Sequence, residues 1–141
     1  MDAMAISRTA LDVEWQRLQV IAQNLANENT TNAGGDGPYR PLRLVSGPDA
    51  GFEQLVDANG VQSRPVGVRV VGLEPLADGA RRVHDPAHPH ADADGFVTYP
   101  NLDRAAEMTL LIRTSRAYEA NLTAMTIAQQ MYMRALDLGR R

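Results

Sequence analysis

At 141 residues the chain has the length of a single domain, and with 44% apolar and 22% charged residues it can fold around one modest core. Fourteen basic against seventeen acidic residues give a formal net charge of −3, which leaves no positive field to gather nucleic acid or anionic lipid. The absence of cysteine excludes disulfides, thiolate metal sites and cysteine nucleophiles together.

The first residues, MDAMAISRTALDVEWQRLQV, carry an acid at position 2 and charges throughout, with no basic head before an apolar block. They do not read as a secretory signal. No apolar run approaches the roughly 18–20 residues of a membrane span, so no membrane insertion is expected and any export must use another route.

From Met4 to about Asn27 the pattern predicts a helix. Met4, Leu11, Leu18 and Leu25 recur every seven residues, with Trp15, Ile21 and Ala22 filling the same face. Asn27, Asn29, Asn32, Gly34 and Gly35 then stop it, since Asn and Gly tolerate the left-handed conformations that close helices. Residues 34–100 hold all eight prolines and every glycine except Gly139, which excludes long helices there. Asn59-Gly60, Asp78-Gly79 and Asp94-Gly95 are hairpin turn signals, and Val66, Val68 and Val70 alternate along one face of a strand. A small, mostly antiparallel β unit follows.

The helical pattern returns from Leu102 to Leu138, with Asn101 as N-cap, Asp103 in the first turn and Gly139 as the stop. Met108, Leu111, Ser115, Tyr118, Leu122, Met125, Gln129, Tyr132 and Leu136 succeed one another by steps of three and four, the pattern of a coiled-coil seam. At 1.5 Å per residue this helix is about 50 Å long, more than a compact domain of this size can enclose. The expected fold is α+β. Long N- and C-terminal helices pair in a coiled-coil-like manner, and the chain divides into an N-terminal helix and exit turn (1–33), a β-rich middle (34–100) and a C-terminal helix (101–141). The seams bury each other and further neighbours.

Chemistry is sparse. His84, His88, His90, Asp92 and Asp94 cluster in HDPAHPHADADG and offer an alternative reading as a metal-binding module. However, Pro86 and Pro89 hold the run extended, and no helix presents His at i and i+4. In the calcium-loop register His90 stands first and Asn101 twelfth, so both strongest carboxylates are missing. No glycine-rich phosphate loop opens a helix and no nucleophile is paired with a base. Neither a cofactor nor an enzymatic activity is expected.

VIAQNLANENTT (20–31) resembles the N-terminal signature of the bacterial flagellar axial proteins, the rod, hook and hook-associated family, which runs Ile-Ala-Asn-Asn-Leu-Ala-Asn-Ala-Asn-Thr-Thr. It departs at Gln23, where that family commonly has Asn, and at Glu28, where it commonly has Ala. Asp85 to Asp92, Asp94 to Asn101 and Ser115 to Asn121 similarly resemble the C-terminal elements of the family's rod members. The resemblance implies a structural subunit of the proximal rod of the flagellar basal body, in the periplasm, exported through the flagellar type III apparatus without a cleaved signal. Its implied partners are other rod proteins and copies of itself. It also implies subunit contacts through Leu11, Leu18, Asn24, Leu25, Asn27 and Asn29 at the N-terminal end, and through Met108, Leu111, Tyr118, Asn121, Leu122, Met125, Tyr132 and Leu136 at the C-terminal one.

Overall fold

The computed structural model describes residues 3–32, 35, 37–49, 56–57, 60–61, 67–76 and 80–139. Helix α1 (Ala3–Ala26) leads to strand β1 (Leu42–Pro48), the short strands β2 (Val56–Asp57) and β3 (Gly60–Val61), then β4 (Val68–Pro75), β5 (Ala80–His84), β6 (Phe96–Pro100) and helix α2 (Arg104–Leu138). The long helices and the antiparallel β middle match the expected α+β class. The strands form three separate antiparallel pairs, β1 with β4, β2 with β3 and β5 with β6, so each pair must find its own cover.

The β1–β4 ribbon finds it on α1. Val13, Val20 and Leu44 form a buried cluster against which Leu42, Val68 and Val70 pack. Val68 and Val70 thus share a face as the alternation predicted, while Val66 and the Asp78-Gly79 turn lie outside the described residues. The register slips between Val45 and Ser46, leaving Val71 as an extra residue on β4. A bulge of this kind bends and twists a ribbon, here midway along its contact with α1, between Leu44 and Val68. Gly60 of the expected Asn59-Gly60 turn opens β3, opposite Asp57, while Asn59 lies outside the described residues. Gly95 introduces β6 with φ +78°, a conformation that suits glycine.

The buried residues of α1 are Val13, Val20, Ile21 and Asn24. The heptad stripe Leu11, Leu18 and Leu25 is only half-buried, Ala22 is exposed, and Trp15 keeps 54% of its surface. The β ribbon therefore takes a face adjacent to the stripe, leaving the stripe at the border facing α2. The two helices run antiparallel, since Asn24 lies beside Glu107 and the rings of Trp15 and Tyr118 stand 6.4 Å apart.

Both helix ends differ in detail from the expectation. Asn27 does not adopt a left-handed conformation, and no described residue other than glycine does. It stops α1 with its side chain instead, donating from Nδ2 to the Gln23 carbonyl and accepting from the Thr30 hydroxyl. The N-cap of α2 is Asp103, not Asn101. Its extended backbone lets Oδ1 accept from the Ala105 and Ala106 amides at 2.9 and 3.1 Å, satisfying two otherwise orphaned donors next to the positive end of the helix dipole. Gly139 closes the helix as expected, donating to the Ala135 carbonyl.

Gly67 marks the closest approach of ribbon to helix. A Cβ there would meet the Thr9 hydroxyl oxygen at 2.6 Å, and that hydroxyl is committed, donating to the Ile6 carbonyl at 2.7 Å and accepting from the Val68 amide at 3.0 Å. Gly67→Ala is expected to destabilise the fold by about 1–3 kcal/mol through overpacking, read as a lower urea midpoint. An unchanged midpoint would show that Thr9 can yield.

Candidate assembly interface

The junction of helix and ribbon is built around Asn24, which is 1% exposed. Its Oδ1 accepts from the Leu42 amide and the Tyr39 hydroxyl, both at 3.0 Å. Its Nδ2 donates to the Leu42 carbonyl at 2.8 Å and reaches Glu107 Oε2 at 3.5 Å. The side-chain amide thus pairs with Leu42 as a neighbouring peptide group would, and fixes where β1 begins relative to α1. Burial and the nearby charge of Glu107 raise the Tyr39 pKa above its ordinary value. Arg17, two turns earlier on α1, donates to the Leu44 carbonyl and the Ser46 hydroxyl at 3.2 and 3.0 Å, stitching the same two elements.

Helix α2 turns an unexpected face inward. Its most buried residues are Glu107 and Thr114, at 9% and 3% exposure, and Asn121, seven further on, is half-buried with its amide donating back to the Ala117 carbonyl. Of the expected seam, Leu111, Tyr118 and Met125 are half-buried, whereas Met108, Leu122, Tyr132 and Leu136 are exposed. The face against α1 is turned toward Glu107 and Thr114, which leaves Met108 and Leu122 on the flank, while Tyr132 and Leu136 lie past the level of the first turn of α1. Sequence reasoning followed that seam and missed Glu107 and Thr114, which with the expected Asn121 form a polar row whose spacing of seven was the available signal.

A second tie joins the exit of α1 to the entry of α2. Arg104 donates through Nε to Glu28 Oε2 at 2.7 Å and through its second amino group to Glu28 Oε1, a bidentate geometry that specifies orientation as well as attraction. Glu28 is the position where the axial-protein signature commonly has Ala, and here it acts as a clamp. Of the N-terminal contact residues, Asn24 is spent inside the chain, Asn27 is half-buried, and Asn29 is exposed with its amide on the Glu28 carboxylate at 3.3 Å.

The histidine segment runs from the end of β5 to β6, and its three imidazoles and the Asp92 carboxylate are each engaged. His84 packs edge-on against Phe96 at 5.0 Å, His88 Nδ1 accepts from the His90 amide, and His90 Nδ1 contacts the Thr31 hydroxyl at 2.7 Å. Asp92 Oδ1 accepts from the Phe96 and Asp94 amides at 2.8 and 3.0 Å, and Oδ2 from Arg82 at 2.5 Å. Among the described residues no three acids or imidazoles converge in a way that could hold a metal ion, so the metal-binding alternative finds no support. The segment is a self-bonded turn that delivers the chain to β6.

Two outcomes follow. Asn24→Ala strands the Leu42 amide and carbonyl in a buried place and should cost about 2–3 kcal/mol, measured by chemical denaturation, while Asn29→Ala should leave the midpoint unchanged; equal effects would refute the junction role. The backbone amide of Phe96 foremost, then the Arg82 guanidinium and the Asp94 amide, hold the Asp92 carboxyl below its ordinary value against the opposing effect of desolvation. Because the folded-state value is the lower one, the stabilisation is full above the unfolded value of about 3.9 and disappears as pH falls through the depressed folded value. An NMR titration should place the Asp92 midpoint below that of a model peptide, and Asp92→Asn should flatten this part of the acid stability profile.

Comparison with known proteins accounts for the arrangement. Residues 93–138 match the family described as flagellar basal body rod FlgEFG protein C-terminal. The chain is 35% identical to the flagellar basal-body rod protein FlgC of Bacillus subtilis over 146 aligned residues, covering 98% of this chain and 97% of that protein. It is 33% identical to FlgC of Borreliella burgdorferi, covering 94% and 93% of the two chains, and 33% identical to FlgC of Salmonella typhimurium, covering 95% and 93%. With this similarity spread over nearly its whole length, and with both signature regions serving to pair its terminal helices, the chain belongs to the flagellar basal-body rod protein FlgC family.

Proposed function

We propose that this protein is a structural subunit of the proximal rod of the flagellar basal body, joined to neighbouring rod subunits through its paired terminal helices. The observation that carries the reading is the strip of exposed apolar side chains along α2, including Met108, Leu122, Tyr132 and Leu136, in a chain of the rod family. A soluble monomer gains nothing from such a strip, whereas an assembled one buries it, and each seam Leu or Met contributes about 1.5–3 kcal/mol on burial.

On this reading the neighbours contact the open side of the helix pair. Leu11, Leu18 and Leu25 border that side on α1, and Leu111, Tyr118, Asn121 and Met125 border it on α2. Asn27 and Asn29 lie at the turn where the chain leaves the helix pair for the strands. Asn24 serves the interface indirectly, by holding the β1–β4 ribbon against α1. Delivery by the flagellar type III apparatus to the periplasm, without a cleaved signal, is part of the proposal. No helix among the described residues is long and apolar enough to cross a membrane, and a cysteine-free chain can cross a narrow channel unfolded.

Leu122 separates folding from assembly. It is 45% exposed, so Leu122→Asp should change the stability of the isolated subunit by no more than about 0.5 kcal/mol. In an assembled seam the same carboxylate costs several kcal/mol, and cells carrying only this variant should fail to build a rod or swim. Normal motility would overturn the assignment of this strip to assembly.

A further inference from the structure

The segment joining β5 to β6 is fastened to the rest of the chain at one polar point. Among the described residues, the hydrogen bonds and ion pairs of residues 80–100 stay within that hairpin, except for the contact of His90 Nδ1 with the Thr31 hydroxyl at 2.7 Å, just past the end of α1. Val97 and Pro100 are buried, which anchors strand β6. The loop from Asp85 to Gly95 is mostly exposed and has that hydrogen bond alone to hold it at the exit of α1.

How His90 is presented to Thr31 depends on His88. The His90 amide donates to His88 Nδ1 at 3.1 Å, so the His88 ring is neutral and carries its proton on Nε2. Protonation removes the accepting lone pair and sets one N–H against another. The rings of His88 and His90 stand 5.4 Å apart, and His88 lies edge-on to Tyr99 at 6.2 Å, whose own ring carries the Arg81 guanidinium at 5.5 Å. A charge on His88 therefore arrives beside a second imidazole and near a fixed cation. The surrounding acids do not offset it. Asp92 is engaged by Arg82 and Glu28 by Arg104, and among the described residues neither Asp85 nor Asp94 pairs with an imidazole. His84 packs on Phe96 and bonds neither ring. His90 itself tolerates a proton, because a protonated Nδ1 still donates to the Thr31 oxygen.

We infer that His88, His90 and Thr31 form a pH-sensitive latch. Neutral His88 holds the His90 backbone so that its ring reaches Thr31; protonated His88 lets go, and the loop leaves the exit of α1. Imidazoles change charge between about pH 5 and 8, so the latch is closed at the upper end of that interval and open at the lower. All of its parts lie in one chain, and it stands apart from the rod-subunit reading.

The absence of cysteine lets two nitroxide labels be placed on the full chain, at Ala93→Cys in the loop and Gln23→Cys on α1, both exposed positions. Double electron–electron resonance should give one narrow distance at about pH 8 and a broad, longer distribution at about pH 5, with the helical circular dichroism unchanged. His88→Asn, whose side-chain oxygen can accept as Nδ1 does but takes no charge, should keep the narrow distance at both pH values. Thr31→Val should give the broad distribution at both, and His84→Asn should respond to pH as the labelled chain does.

Identical distributions at the two pH values in the labelled chain would overturn the latch, as would a broadening that survives His88→Asn or is abolished by His84→Asn. A narrow distance in Thr31→Val at both pH values would overturn Thr31 as the catch. Loss of the helical signal along with the broadening would show general acid unfolding and overturn a local switch.

Discussion

The side chain of Asn24 is the point through which the rest of this structure is registered. It meets a strand on one side and a helix on the other, and it does so with hydrogen bonds that an apolar residue could not supply. Hydrophobic burial is non-directional, so Val13, Val20 and Leu44 hold the β1–β4 ribbon on α1 without deciding where along the helix it sits. The amide decides. It pairs with both backbone groups of Leu42 and so sets the first residue of β1, and through Glu107 it touches the first turns of α2. Arg17 and Thr9 repeat the device at intervals along α1, each joining a helix side chain to a ribbon backbone group.

A consequence of this register is that α1 has little capacity left for apolar partners. One of its faces is taken by the ribbon and the adjoining one by α2, whose inward row contains Glu107 and Thr114. The more apolar strip of α2 is displaced to the flank and beyond the end of α1. In a protein that worked alone this would be a poor use of large side chains, since exposed apolar area forfeits stabilisation and invites association. On the function proposed above, the same arrangement would separate two tasks, with polar and directional contacts organising the monomer and apolar strips left for assembly.

The loop between β5 and β6 shows how the same residue types can serve structure rather than chemistry. Asp92 spends its carboxylate on two amides and an arginine, and the three imidazoles are each engaged with a ring, an amide or a hydroxyl. These contacts bring β6 to Pro100 in the right direction for Asp103 to cap α2. The ion pair of Arg104 with Glu28 then joins that cap region to the end of α1, so the exit from one helix and the entry to the other are fixed together.

Much of this was legible in the residues themselves. The two terminal helices, their approximate ends, the antiparallel middle and the Val68–Val70 face follow from periodicity and from Pro, Gly and Asn placement, because those signals act within a few residues of where they are written. The family signatures likewise sat in contiguous segments. What the sequence could not decide was which side of each helix would turn inward. Periodicity finds the apolar stripe, but burial is settled by the competition between that stripe and a ribbon whose backbone groups needed Asn24, Arg17 and Thr9. The identity of the Asn24, Tyr39 and Glu107 cluster, drawn from positions far apart in the chain, was a matter of tertiary structure alone, since a hydrogen bond depends on distance in space and carries no mark in the local sequence.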